Sequence, residues 1–242
     1  MRPLRKRLQS SRSVRVRTIA RILREWYGRP PHHNKYDPLD ELIFILLSAK
    51  TSERSYLRTY SRLKTRFPDW FSVLDAPAGA VHEVIAEGGL SKKKEAQIRA
   101  LLRALSEDSS RFNRKTLSTM DDERLERYLT GLPGIGLKSA RCVMMYSLGR
   151  QVFPVDTHCR RVLSRIGVIR SRRLTDRVQN EIQGEIPSRL RYDLHVDLVA
   201  HGRAVCKSGT PLCDECRLKS HCDFYCLTER PGSLRAAVRV AA

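Results

Sequence analysis

A chain of 242 residues is long enough to bury one large core or two smaller ones without disulfides. Its 46 basic and 26 acidic residues leave a net charge of +20, a field that favours polyanions, nucleic acid above all. The longest purely apolar run, residues 42–47, is far short of a bilayer span, and no secretory apolar region follows the N-terminus, so a membrane partner is not expected.

The first 24 residues hold nine Arg or Lys and no acid. Residues 1–14 lack periodicity and read as a disordered basic arm, and their Arg-rich, acid-free make-up also fits a mitochondrial presequence. Val16, Ile19, Leu23 and Trp26 then share one helical face, which Gly28 and the prolines after it bring to an end. Asp37-Pro38, a cap followed by a first-turn proline, opens a helix through Leu47. Ser52 to Arg66 predicts a helix with Tyr56, Tyr60 and Leu63 on one face. Further helices are expected between Pro77 and Glu87, from Ala96 to Leu105, and from a capping-box variant at Ser118/Thr119 with Asp121/Asp122 to Gly131. No run alternates as a strand would. The chain reads as all-α, with about ten helices and short connections.

Leu132-Pro133-Gly134-Ile135-Gly136-Leu137-Lys138 separates two helical stretches. Two glycines permit a tight turn and a close backbone approach, and the helix starting at about Leu137 offers its first N–H groups there. This is the logic of a helix-hairpin-helix, which grips a DNA backbone without reading sequence. Lys138, in the first turn of the second helix, fits a plain phosphate contact. It fits equally a nucleophile, since a neutral amine attacks a sugar C1′ to form a Schiff base. Eighteen residues on stands Val155-Asp156-Thr157-His158. Asp156 suits the N-cap of the helix from Thr157 to Ile166, and it also suits a carboxylate that serves Lys138.

Cys206, Cys213, Cys216 and Cys222 follow the pattern C-x6-C-x2-C-x5-C. Zinc sites usually show two close Cys/His pairs, whereas one run around a single C-x2-C suits a [4Fe–4S] cluster better, with zinc as the alternative. The loop is basic (Lys207, Arg217, Lys219), which suits docking on DNA. Cys142 and Cys159 lie in apolar-periodic stretches as small hydrophobes, and Cys226 is assigned no role. Such cysteine usage points to a reducing compartment, with the cytoplasm, at the nucleoid, as the expected location and mitochondrion or nucleus left open.

The hairpin with its lysine, the Val-Asp-Thr-His segment and the cysteine run, in that order, resemble the endonuclease III branch of the helix-hairpin-helix glycosylases. The resemblance implies a two-domain fold: a six-helix barrel over residues 31–150, and an iron–sulfur domain joining residues 15–30 to 151–228, with a tail at 229–242. It implies a monomer that binds double-stranded DNA containing damaged bases or abasic sites between the domains and flips the damaged base out. Lys138 would be the Schiff-base nucleophile and Asp156 its acidic partner. The reaction would be excision of a damaged base, an oxidised pyrimidine by resemblance, followed by β-elimination. DNA contacts would come from Leu132, Gly134, Ile135, Gly136 and His158. Leu90 would wedge into the base stack, with Ser91 and the lysines 92, 93 and 94 facing phosphates. Lys50 would enter the space left by the flipped base, where the family's usual residue is glutamine. Residues 109–119 look like an insertion.

Two other readings stay open. Mismatch-adenine and plant 5-methylcytosine glycosylases share parts of these motifs, so base specificity is one variable. A non-catalytic iron–sulfur DNA-binding protein would explain everything except the pair Lys138/Asp156.

Overall fold

The computed structural model describes residues 2–107, 112–171 and 173–228, with side chains from Arg12 onward. Among these residues it is helical throughout, without strands. The helices are α1 (Arg2–Tyr27), α2 (Pro38–Ser48), α3 (Glu53–Arg66), α4 (Ser72–Asp75), α5 (Ala80–Val84), α6 (Ser91–Ser106), α7 (Arg114–Ser118), α8 (Asp122–Thr130), α9 (Leu137–Tyr146), α10 (Thr157–Arg165), α11 (Asp176–Glu185), α12 (Ser188–Ala204) and α13 (Asp223–Thr228). Two compact units share them: Met1–His32 with Gln151–Ala242, and His33–Arg150.

The unit His33–Arg150 is built around α2, which is buried along almost its whole length. Leu42, Leu47, Leu63, Leu101, Leu129 and Val143 are all fully excluded from solvent. Each such side chain contributes roughly 1.5–3 kcal/mol of burial free energy. Asp37 caps α2 as the sequence predicts, its side chain accepting from the Leu39 and Asp40 N–H groups. The cap of α8 is Asp121, which accepts from the Arg124 N–H, so Ser118 and Thr119 belong to the end of α7 and not to a capping box. The α8–α9 pair is tied by Arg141, whose buried guanidinium meets Glu126 at 2.8 Å.

α6 differs from expectation and organises this unit. It begins at Ser91, five residues before the predicted start, because part of the Lys-Lys-Lys-Glu stretch turns inward. Glu95 accepts from the Gly79 and His82 N–H groups and so caps α5 from a distance, which is why α5 starts only at Ala80. Arg99 donates to the Val73, Ala76 and Pro77 carbonyls. Burial raises the Glu95 carboxyl, but the Arg99 guanidinium and the two N–H donors outweigh it and hold its pKa below the usual range.

In the other unit, Val16, Ile19 and Leu23 of α1 pack with Val162 of α10, Leu194 of α12 and Leu218. Gly202 permits a close crossing of α10 and α12, since a Cβ there would stand 2.8 Å from that of His158. The stretch read as a disordered arm is helical from Arg2, continuous with the rest of α1. Arg, Leu, Lys and Gln are good helix formers, and Pro3 lies in the first turn, where its missing N–H costs nothing. The tail 229–242 and residues 109–111 of the expected insertion lie outside the described residues, and Arg114–Ser118 within that insertion is helical.

Asp197 of α12 is wholly buried, 3.3 Å from Arg24 Nη2, and its oxygens have no hydrogen-bond donor among the described residues. Burial outweighs the Arg24 attraction, with Asp193 adding repulsion, and pushes its pKa up to about 6. A carboxyl whose folded pKa is raised favours the fold below its unfolded value and burdens it as pH rises through the folded one. Asp197→Asn is therefore expected to gain on the order of 1–2 kcal/mol over wild type at pH 8, with the gain fading towards pH 4. Thermal melts across that range check it.

Candidate nucleic-acid interface and metal centre

The turn between α8 and α9 alternates by side. Leu132, Ile135 and Leu137 are buried, whereas Gly134 and Gly136 are exposed. The apolar side chains therefore anchor the turn, and Leu132 and Ile135 have only their backbone to offer a ligand. Gly134 adopts φ +78°, a conformation costly for other residues, and Ile135 N–H closes the turn on the Leu132 carbonyl. Gly136 is a different case. Its φ of −91° and ψ of 175° suit any residue, and a Cβ there would meet open space. The fold does not require glycine at 136, so the turn expected to need two glycines needs one. Gly136 leaves the N-terminal end of α9 open. It begins α9 without a side-chain cap, leaving the first N–H groups of that helix to an outside acceptor.

Lys138 is half-buried in the first turn of α9. The same unit holds a group that sequence reasoning missed. Glu41 of α2 is fully buried and accepts from Asn34 Nδ2 and the Lys35 N–H, each at 2.6 Å. Burial pushes its pKa up to about 7, against the lowering pull of those two donors and of the Lys138 and Lys35 charges. In sequence Glu41 looks like an ordinary first-turn acid of a capped helix. Asp156 belongs to the other unit. It caps α10, its Oδ1 accepting from the Cys159 N–H at 2.7 Å. His158, in the first turn of α10, meets Arg161 Nη2 through Nδ1 at 3.0 Å. Burial lowers its pKa, partly offset by Asp156, so it stands largely neutral.

Lys50 and Leu90 are both exposed and both left-handed, with φ of 51° and 53°. Lys92 and Lys93 are exposed as expected. Two other expectations are corrected. Ser91 is buried with its hydroxyl 2.6 Å from His82 Nδ1, so its side chain does not reach outward. Lys94 does not face phosphate either: it is 2% exposed, one helical turn past Leu90 and on the inward side.

Cys206, Cys213, Cys216 and Cys222 line one cavity, with Val162, Ile166, Val205, Leu212 and Leu218 as its apolar wall. Arg165 Nη1 lies 3.2 Å from Cys206 Sγ, and Arg161 holds the Cys206 carbonyl at 2.7 Å. Cys216 receives a backbone hydrogen bond from Leu218, and Cys222 from Phe224 and Tyr225. Behind Cys216 lies His201, 3.6 Å away through Nε2, with the Tyr27 hydroxyl 3.0 Å from its Nδ1. Burial, then Arg161, lowers the His201 pKa to about 4, so the imidazole is neutral at physiological pH. Burial pushes the Cys216 thiol up to about 11, and the other three cysteines add to the rise. Four such sulfurs become thiolates together only around positive charge. Among the described residues no three His, Cys, Asp or Glu are arranged to hold a single metal ion. Sulfurs ringed around a shared apolar-walled cavity, with N–H donors near them, fit a cluster of some bulk better than one zinc. Cys142 and Cys159 are buried in the cores, and Cys226 is exposed.

An outward backbone turn, a lysine behind it and a basic thiolate loop together define a helical protein of DNA. A family model described as HhH-GPD superfamily base excision DNA repair protein matches residues 43–188, and the chain belongs to that superfamily, on its endonuclease III branch. It is 27% identical over 208 residues to endonuclease III of Thermotoga maritima, covering 86% of this chain and 93% of that one. It is 31% identical over 179 residues to a protein of Arabidopsis thaliana, of whose length it spans 58%. The solved structure of a non-covalent endonuclease III–DNA complex shares the fold, with a TM-score of 0.74 at 22% identity over 95% of this chain and 99% of that chain. Endonuclease III proteins typically carry an iron–sulfur cluster. No helix described is long and apolar enough to cross a membrane.

The two glycines are expected to separate by experiment. Gly134→Ala should lose roughly 1–2 kcal/mol of stability through its left-handed φ. Gly136→Ser should keep or raise the melting temperature, because serine caps α9, yet weaken duplex binding by about the same factor for every sequence. Calorimetry and salt-dependent binding titrations measure the two effects.

Proposed function

We propose that the protein is a base excision DNA glycosylase with abasic-site lyase activity, acting on oxidised pyrimidines in duplex DNA. The observation that carries this is Lys138 in the first turn of α9, directly behind a backbone-out hairpin built to hold a phosphate. A phosphate gripped by the Gly134–Gly136 backbone brings a nucleotide sugar within reach of that lysine. The neutral amine attacks C1′, and the bond from C1′ to the damaged base breaks. Opening of the sugar ring leaves an imine between Nζ and C1′. Loss of a proton from C2′ expels the 3′ phosphate, and water releases the lysine. Asp156 supplies a carboxylate whose geometry its capping bond fixes. Its roles are to take the lysine proton and to stabilise positive charge growing on the sugar. Lys50 and Leu90 would meet the duplex where the base has left, with Lys92 and Lys93 at phosphates.

Cys206, Cys213, Cys216 and Cys222 would hold a [4Fe–4S] cluster, which when bound supplies a rigid cross-link and a basic docking surface, not a step of the reaction. The use of its cysteines, four in one loop and two in apolar cores, supports a reducing compartment, the cytoplasm at the nucleoid. A monomer suffices for this chemistry.

Lys138→Gln is expected to bind DNA but to lose both borohydride trapping on abasic DNA and strand cleavage, because glutamine forms no imine. Asp156→Asn should melt like wild type, since asparagine caps as well as aspartate, while turnover falls on the order of a hundredfold. Trapping that survives in Lys138→Gln would move the nucleophile elsewhere.

Anaerobically purified protein should be brown with about four irons per chain. Cys213→Ser should lose the iron and Cys142→Ser keep it. Iron analysis and absorbance near 400 nm give the answer.

A further inference from the structure

Lys94 is a buried lysine of the unit His33–Arg150 that the reaction above does not use. Its Nζ donates to the Leu47 carbonyl at 2.8 Å, to the Gly88 carbonyl at 2.9 Å and to Thr51 Oγ1. An ammonium has three N–H donors, and here it has three acceptors. The Thr51 hydroxyl lies 2.7 Å from the Gly88 carbonyl and 3.0 Å from that of Ala49, so its own hydrogen extends the same network. The acceptors come from two separate stretches: the end of α2 with the turn after it, and the turn before α6.

Those two stretches carry Lys50 and Leu90, the only non-glycine residues with positive φ among the described residues. A left-handed conformation costs about 1–2 kcal/mol for such a residue. Leu90 starts α6 with no side-chain cap, and the chain reaches it through Gly89 at φ +65°. Backbone bonds from Thr51 N–H to the Ser48 carbonyl and from Lys94 N–H to the Leu90 carbonyl offset part of the strain, and Leu90 is left 52% exposed. Paired strain of this kind persists only where the surroundings over-determine it, and it clusters where a ligand is met. Here the surroundings are the Lys94 ammonium.

We propose that Lys94 is a positioning residue: it fastens residues 47–51 to residues 88–90, so that Lys50 and Leu90 enter a duplex as one rigid pair. Its consequence is selectivity. A fixed pair meets the base opposite the lesion and the neighbouring stack together, which a single strand does not offer. Lys94 therefore governs discrimination between duplex and single strand and between opposite bases, without touching DNA. This rests on the reading that Lys50 and Leu90 meet the duplex.

The test uses the full chain with Lys94→Met, which keeps the bulk of the side chain and removes its donors, and Thr51→Val, a milder change that spares the buried lysine. Hydrogen exchange on the free protein comes first. Both variants are expected to speed exchange in the two stretches together, by about tenfold or more. Borohydride trapping is then timed on an abasic site in a duplex, with each of four opposite bases, and in a single strand. Duplex trapping should slow on the order of ten- to a hundredfold, the single-strand rate should stay within about twofold, and the spread across opposite bases should narrow. Thr51→Val should fall between wild type and Lys94→Met. Exchange that stays unchanged, or rises in one stretch alone, would overturn the coupling. Equal losses on duplex and single strand in a folded variant would reduce Lys94 to general support of the fold. Wild-type protein that traps on neither substrate, while both stretches loosen together, would instead remove the lyase reading and leave the fastening intact.

Discussion

A backbone can be offered to a polyanion only if something else holds it still. Each outward-facing segment of the unit His33–Arg150 is met from the inside by a side chain that does so. At the α8–α9 turn the holding is apolar: Leu132, Ile135 and Leu137 point in, and the glycines between them point out. At the α2–α3 and α5–α6 turns it is ionic, through Lys94, and at the α4–α5 turn through Glu95 and Arg99 of the same helix. The difference has a reason. Apolar anchors suit a short turn between two packed helices. Loops with exposed carbonyls need donors, and a buried donor must spend every N–H it has.

The thiolate centre obeys the same constraint with the opposite charge. Burial resists ionisation of two of its sulfurs, raising the Cys216 and Cys222 thiols. Arg165, the backbone N–H groups and the neutral His201 are arranged around them. The loop is thereby anchored on α10 and α12, the helices that also build the core around Asp156 and α1. A cysteine loop fastened to the helix that Asp156 caps has a structural part to play.

Buried acids set the cost. Glu41 and Asp197 are both fully excluded from solvent and both shifted upward, to about 7 and about 6. Neither is needed for packing, since an apolar residue of similar volume fills such a place at less cost. Glu41 repays part of its burial by fixing Asn34 and Lys35 and by feeling the charge of Lys138. Among the described residues Asp197 has Arg24 alone as a countercharge. Marginal stability is thus spent unevenly, most usefully in the unit that holds the lysine.

Much of this chain could be read without coordinates. The caps at Asp37 and Asp156, the helix start near Ser52, the helix ends at Tyr27 and Thr130, the turn at Gly134 and the cysteine spacing all depend on interactions within a few residues, so local sequence determined them. The all-helical class followed from the same periodicity. The extent of α1 was not legible, because residues 2–13 carry helix propensity without an apolar stripe. Three adjacent lysines looked alike, yet Lys92 and Lys93 face solvent and Lys94 is buried. The α6 register turns only the third inward, and the acceptors that make its burial tolerable lie at positions 47, 51 and 88. Glu41 was hidden in the same way, its partners set by a chain turn at Asn34 and by a lysine nearly a hundred residues away. A buried charge is decided by where its partners arrive from. That depends on the packing of distant segments, and only the tertiary structure brings them together.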